Sequence, residues 1–352
     1  MQLATVDFYR PDSSESALVN ADTILHDALL GVPPGRDECI RLLSLPEDSY
    51  EADRLRETAR IVSHQRFKSQ GVLKAQIGID TSHCAGACKF CGFGDGVSDI
   101  EVRLMPIDEI VERAISSAGS GELYMLLLMT MHDFRFPRLL KAVEAVRAVI
   151  PGCTQLAVNI GDIGAVQARE LADAGVGGAY HVRRLREGID TALSPAARVE
   201  TIQAFLDAGI QWYTCCEPIG PEHSPEELAE EIFLGITHGC SLHATMHRIA
   251  VPGTPMASRG QISEIRLAQI TAVVALATIA LPGLAGISVH EPNLPSLMAG
   301  ANAITAESGA NPRDTIRNTE DGRGRSIEHC KALLREAGYL ELLRADGSSL
   351  PL

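Results

Sequence analysis

The chain has 352 residues, 45% of them hydrophobic, enough for a sizeable core in one large domain or two modest ones. Its formal net charge of −14 argues against a generalised nucleic-acid footprint, which needs clustered Lys and Arg. It leaves Arg183, Arg184 and Arg186 as a local basic patch that reads as a small-molecule anion site or solvated surface. Residues 1–12 hold no apolar signal core, and the most apolar stretch, 265–281, carries Arg266 and Gln269 before Pro282. The expectation is therefore a cytoplasmic chain with no membrane partner, whose apolar stretch is a buried helix.

The pattern from residue 21 to about 70 is helical. Leu25, Leu29 and Leu30 recur at helical spacing, Ile40, Leu42 and Leu43 follow the Pro33-Pro34-Gly35 break, and 50–70 is charged and amphipathic. Residues 1–70 are expected to form a helical N-terminal extension. After Gly71 the texture changes. Strand-like runs fall at 73–79, 122–129, 154–160, 177–183, 211–218, 242–250, 286–290 and 303–306. Amphipathic stretches lie between them at 107–117, 137–150, 164–174, 197–208, 225–237 and 263–281. Ser224-Pro225-Glu226-Glu227 reads as a helix start, with a capping serine, proline at the first helical position and acids in the first turn. Eight strand-then-helix units predict an α/β fold, a (βα)8 TIM-type barrel, complete or nearly so, over 71–310. Residues 311–352 are expected to be a C-terminal helical tail packed on it. In such barrels ligands sit at the carboxyl ends of the strands.

Immediately after the first expected strand comes Cys84-Ala-Gly-Ala-Cys88-Lys-Phe-Cys91-Gly-Phe-Gly. The nine cysteines are otherwise scattered, which in a reducing compartment points to metal binding or catalysis rather than disulfides. Three thiolates within eight residues wrap an iron–sulfur cluster but leave one iron without a protein ligand, which suits direct binding of a substrate or cofactor. A zinc site needs a fourth ligand; His83 is the candidate, at a strained spacing. Cys39, Cys153, Cys240 and Cys330 read as ordinary free thiols.

The C-x3-C-x2-C spacing, with the aromatic Phe90 before the last cysteine, resembles the signature of the radical S-adenosylmethionine (SAM) superfamily. The resemblance implies a [4Fe–4S] cluster on Cys84, Cys88 and Cys91, whose open iron is chelated by the amino and carboxylate groups of SAM. It also implies reductive cleavage of SAM to a 5′-deoxyadenosyl radical that abstracts hydrogen from a small polar substrate. The electron would come from a flavodoxin- or ferredoxin-type reductant. The helical lead-in, residues 198–218 and Ala299-Gly-Ala-Asn-Ala-Ile304 resemble the biotin synthase-like branch, which includes biotin synthase, methylornithine synthase and hydrogenase cofactor maturases. Biotin synthase carries a second, sulfur-donating cluster on three cysteines and an arginine. Those positions correspond here to 130–132, 156–158, Tyr213 and the neighbourhood of His290, and none is retained, although Cys215 and Cys216 lie close by. Sulfur insertion is therefore the alternative reaction, and rearrangement, fragmentation or a cofactor-biosynthesis step the principal expectation.

The remaining site expectations are individual. Gly92 lets the chain pass close to the cluster and adenine. The resemblance implies that Arg183, Arg186 and Glu187, after the fourth strand, bind the ribose or methionine end of SAM, the competing interpretation being surface ion pairs. It also implies backbone contacts near Thr130. Tyr213, Cys215 and Glu217 alternate on one strand face, so Glu217 is either a cavity carboxylate touching substrate or SAM, or a solvated one. Tyr213, Glu217, His247 and His290 are the candidate catalytic or substrate contacts. His243, Thr245, His247, His290 and Glu291 raise a second possibility, a mononuclear metal or proton-relay site. An iron–sulfur scaffold without catalysis and a zinc-stabilised barrel are the competing functional classes. The sequence sets no oligomeric state.

Overall fold

The computed structural model describes residues 20–81, 84–94, 97, 100–291 and 293–352; His83, the candidate zinc ligand, lies outside them. Three helices come first: α1 (Ala21–Leu29), α2 (Arg36–Leu43) and α3 (Tyr50–Arg66). Asn20 and Ser49 cap α1 and α3 by accepting hydrogen bonds from backbone amides two and three residues on. The repeating units are β1 (Gln70–Gly78), α4 (Ile107–Ala118), β2 (Met125–Met129), α5 (Phe136–Arg147), β3 (Gln155–Asn159), α6 (Ala165–Asp173), β4 (Val176–Tyr180) and α7 (Pro195–Asp207). They continue with β5 (Gln211–Ile219), α8 (Pro225–Thr237), β6 (Leu242–His247), α9 (Glu264–Ala277), β7 (Gly286–Val289), the single turn α10 (Leu294–Leu297) and β8 (Ala303–Gly309).

The strands pair in parallel in chain order, and β8 returns to β1 in a continuous register from Val72↔Ala303 to Gly78↔Gly309, closing an eight-stranded barrel. The alternation of side chains is legible throughout. Leu73, Ala75 and Ile77 face the helices, while Val72, Lys74 and Gln76 face the axis. Helix α9 is apolar all round because α2 and α3 cover its outer face while its inner face packs on β6 and β7. Its buried Gln269 donates to the Leu42 and Leu45 carbonyls, both at 3.0 Å, tying the extension to the barrel. Among the described residues no helix is long and apolar enough to cross a membrane.

Two features depart from expectation. The segment after the barrel is not all helical: α11 (Ile327–Glu336) is followed by a hairpin of β9 (Glu341–Leu343) and β10 (Ser349–Pro351). Strand β1 begins two residues before its pairing with β8, and β9 pairs in parallel with those residues, Gln70 and Gly71, covering backbone that would otherwise be an open edge. The other departure is Tyr213. It faces inward, but at the amino-terminal end of the barrel, roughly 13 Å along the strand from Glu217 at about 3.3 Å per residue. Its hydroxyl bonds to Gln155 and to Gln211, the latter at 3.0 Å, and its ring packs with Val72, Tyr124 and Leu242. A Cβ on Gly178 would come within 2.4 Å of the Tyr213 ring, so the ring fills the place a side chain on β4 would take. Tyr213 thus belongs to the floor of the barrel, not to the cavity.

Replacing Tyr213 with Phe should cost about 1 kcal/mol of stability, and Gly178→Ala about 1–3 kcal/mol through overpacking. Urea unfolding measures both. The cluster content of reconstituted Tyr213→Phe should equal that of the wild type.

Candidate active site

The site is built on the loop that follows β1. Its residues 84–94 are held by backbone hydrogen bonds to segments that follow three other strands. Gly86 O accepts from Ala192 N at 2.8 Å, Lys89 N donates to Asp190 O at 2.9 Å, Lys89 O accepts from Met256 N at 3.1 Å, and Gly92 N donates to Pro312 O at 2.7 Å. Gly92 is required by that last approach, because a Cβ there would lie 2.4 Å from the Asp314 carbonyl. Held in this way, Cys84, Cys88 and Cys91 form one wall of a cavity at the carboxyl ends of the strands, beside Phe90.

The donor set fits an iron–sulfur cluster. Burial, with Cys88 beside it, pushes the Cys91 thiol up to about 12, and burial also raises Cys88, so these thiols become thiolates only against a cationic partner. The Cys84 and Cys88 sulfurs both lie close to Gly86, 3.2 and 3.5 Å from where a Cβ would be. Among the described residues no three His, Cys, Asp or Glu side chains are disposed around a single ion. Three thiolates are one short of a tetrahedral zinc set and suit a cluster in which each takes a different iron.

Beside the cysteines the cavity is charged. After β4 the inward alternation runs Tyr180, Val182, Arg184, and Arg184 rather than Arg183 reaches the cavity. Its Nε lies 3.4 Å from Glu217 Oε1 and its Nη1 3.9 Å from Glu187. Arg183 points outward to Glu231 at 2.6 Å and Glu230 at 2.9 Å. Arg186 also points away, bonding both Glu227 oxygens at 2.7 and 3.0 Å. Glu187 stands one layer behind the wall, accepting from Arg184 N at 2.8 Å and Thr191 Oγ1 at 3.1 Å, 3.4 Å from Arg198 Nε. Arg198 lines the cavity and also bonds Asp162 at 3.0 Å. Of the three residues expected in this turn, then, none lines the cavity itself.

Glu217 is turned into the cavity and only 3% exposed, with Tyr180 donating its hydroxyl proton to Oε2. The solvated alternative for this carboxylate is excluded. His247 and His290 line the same space, and His247 Nδ1 and His290 Nε2 are buried without a protein partner. Burial lowers both imidazoles, His290 well below its usual value, with Lys74 adding to the effect. Both are therefore neutral near pH 7. Thr130 borders the cavity, but its hydroxyl donates to Met131 O at 2.8 Å. His243 and Thr245 face the helices, bonding Ile232 O at 3.3 Å and Thr271 at 2.7 Å, so the sixth-strand histidines do not converge. Cys215 faces the axis and Cys216 the helical layer, so the two cannot ligate one cluster.

Arg184, Arg198, Tyr180, Gln76, Asn159 and Arg313 are cavity residues outside the sequence-based candidates. Two-residue alternation along β4 identifies Tyr180 and Arg184, and polar residues amid the apolar runs of β1 and β3 identify Gln76 and Asn159. Arg198, on a helix, carries no such signal.

The chain is 24% identical over 311 residues to the mitochondrial biotin synthase of Emericella nidulans, covering 78% of this chain and 76% of that one. It is 25% identical over 265 residues to biotin synthase of Azoarcus sp., covering 70% and 79%. Its fold is similar to that of methylornithine synthase, with a TM-score of 0.74 at 18% identity over 90% of this chain and 96% of that one. It is likewise similar to the FeFe-hydrogenase maturase HydG from Carboxydothermus hydrogenoformans, with a TM-score of 0.74 at 16% identity over 91% and 78%. No family model matches the chain. With the cysteine loop at the mouth of a closed barrel, these likenesses support the biotin synthase-like branch of the radical SAM enzymes. The cofactors of that class are a [4Fe–4S] cluster and SAM.

Gly92→Ala should break the contact with 312–314 and lower iron retained after anaerobic reconstitution by half or more. Iron and sulfide analysis checks this, with a circular dichroism spectrum to show that the barrel is intact.

Proposed function

We propose that this protein holds a [4Fe–4S] cluster on Cys84, Cys88 and Cys91 and uses it with SAM to start a radical reaction on a small polar molecule bound in the barrel. When bound, the cluster and SAM supply one electron and a cleavable sulfonium, yielding methionine and a 5′-deoxyadenosyl radical that takes a hydrogen atom from substrate. The observation that carries this proposal is that the three cysteines and Arg184 line one cavity, with Arg184 near enough to Cys88 for their charges to interact.

The protein's own groups have distinct tasks. Arg184 makes no side-chain hydrogen bond of ordinary length among the described residues, and its guanidinium suits the methionyl carboxylate. Glu217, fixed by Tyr180, supplies the carboxylate that a cationic amino group needs in a buried site. Phe90, Leu193 and Ile249 give apolar surface for an adenine ring and exclude water from the mouth. Glu187 acts behind them, holding the turn that aims Arg184 and steadying Arg198. His290 and His247 face the substrate side as neutral hydrogen-bonding groups. The inserted-sulfur alternative lacks a ligand set, since Cys215 and Cys216 point to opposite faces of β5.

Anaerobic reconstitution with iron and sulfide, followed by SAM and dithionite, should give 5′-deoxyadenosine, and Cys84→Ala, Cys88→Ala and Cys91→Ala should each abolish it. A four-iron cluster whose electron paramagnetic resonance spectrum is unchanged by SAM, and which yields no 5′-deoxyadenosine, overturns the proposal in favour of a scaffold. Arg184→Met should weaken SAM binding roughly tenfold or more, as expected for a lost charge-assisted bond. Arg183→Met should leave it unchanged, as isothermal titration would show.

A further inference from the structure

Below the level of Glu217 and Asn159 lies a second group of polar side chains that the proposed chemistry leaves unused. Lys74 on β1, Ser288 on β7 and Thr305 on β8 all face the barrel axis, and the register Lys74↔Thr305 and Ser288↔Ala303 makes them neighbours. Lys74 Nζ donates to Ser288 Oγ at 2.6 Å. Among the described residues no carboxylate lies within ion-pair distance of it. Glu307, the nearest acid in the wall above, has both oxygens taken by Arg313 Nη2, each at 2.6 Å. An ammonium carries three donors, and here one is used. Two more polar atoms in this group are buried with no partner, Thr305 Oγ1 and His290 Nε2.

A cation removed from water without a counter-charge is a costly arrangement, and an incoming anion relieves it. The group lies directly beneath the cavity floor, and Thr305 Oγ1 and His290 Nε2 are themselves covered. Lys74, Thr305 and His290 retain 5%, 3% and 9% exposure although they face the axis, whereas Ser288 retains none. His290 also lines the cavity above, so it joins this level to the cavity, and an anion reaches Thr305 Oγ1 and His290 Nε2 by a shift of the side chains that cover them.

We propose that this level is the substrate's anchoring subsite, in which Lys74 Nζ, Thr305 Oγ1 and His290 Nε2 receive a carboxylate group. The subsite rests on the function proposed above and names the substrate class: a small monocarboxylate, its acid end held near the barrel centre and the remainder directed toward the cysteine wall. A dianion such as phosphate is disfavoured, because one ammonium would have to balance two charges within reach of Glu307. The ammonium is a binding group, and no covalent step is assigned to it.

The test uses reconstituted holoprotein with straight-chain carboxylates from acetate to hexanoate, the matching primary amides, inorganic phosphate and chloride as probes. Isothermal titration and thermal shift are the readouts. Saturable binding of at least one carboxylate is expected, with its amide at least tenfold weaker and phosphate and chloride not competing. Lys74→Met should raise the ligand-free melting temperature, because it removes an unpaired buried charge, and should lose that carboxylate-dependent shift. Thr305→Val should weaken binding by a smaller factor. No carboxylate binding, equal binding of acid and amide, competition by phosphate or chloride, or unchanged affinity in Lys74→Met each overturns the subsite. Formation of 5′-deoxyadenosine by wild-type protein from the same preparation tests the radical chemistry separately, so either can fail alone.

Discussion

Four backbone hydrogen bonds between the cysteine loop and the segments after β4, β6 and β8 are the constraint on which the site depends. The three cysteines are close in sequence, but no local structure arranges them: the described residues 84–94 form no helix or strand of their own. Its course is set by Ala192, Asp190, Met256 and Pro312, which are brought round the mouth only when the barrel has closed. The pairing of β8 with β1 is therefore as much a part of the proposed cluster site as the thiols. The same dependence explains why Gly92 tolerates no side chain, since the loop must approach backbone from the far end of the chain.

Closure also grades the interior. At the floor, Tyr213, Tyr124 and Val72 exclude water; one level up stands a single ammonium among hydroxyls; at the mouth, arginines meet carboxylates. Charge thus increases toward the end where a cationic sulfonium and an iron cluster are expected. Most of the mouth charges are matched. Arg198 sits between Asp162 and Glu187, and Arg313 bonds Glu307 and Glu291. Arg184 is matched too, but more loosely, near Glu217 and Glu187 at 3.4 and 3.9 Å. Networks of this kind fix side-chain positions more than they add stability, because desolvation consumes much of the Coulomb energy.

What the sequence made legible follows from this grading. The eight units, the cysteine loop and the inward face of Tyr213, Cys215 and Glu217 all rest on periodicity or local spacing, and periodicity survives folding. Depth does not show in periodicity. Tyr213 and Glu217 share a face of a nine-residue strand, and nothing in the alternation says that one lies at the floor and the other at the mouth. Phase is equally fragile: a slip of one residue exchanges Arg184 for Arg183 and sends the side chain from the cavity to Glu231. Arg198 and the β9–β10 hairpin depend on long-range pairing with segments far away in sequence, which composition does not encode.

The two cysteines of β5 show how strand geometry limits chemistry. Adjacent in sequence, they look like a pair, yet the pleat sends Cys215 to the axis beside Tyr180 and Glu217 and Cys216 into the helical layer. Burial pushes both thiols well above the ordinary range, so in the folded chain they remain protonated and are not nucleophiles. A barrel that offered a second cluster would need thiolates on several inward positions around the axis. Here the corresponding inward positions carry a phenol, an imidazole and aliphatic groups. The interior is instead equipped with hydrogen-bond donors and one unpaired ammonium, an environment suited to holding an organic anion in place.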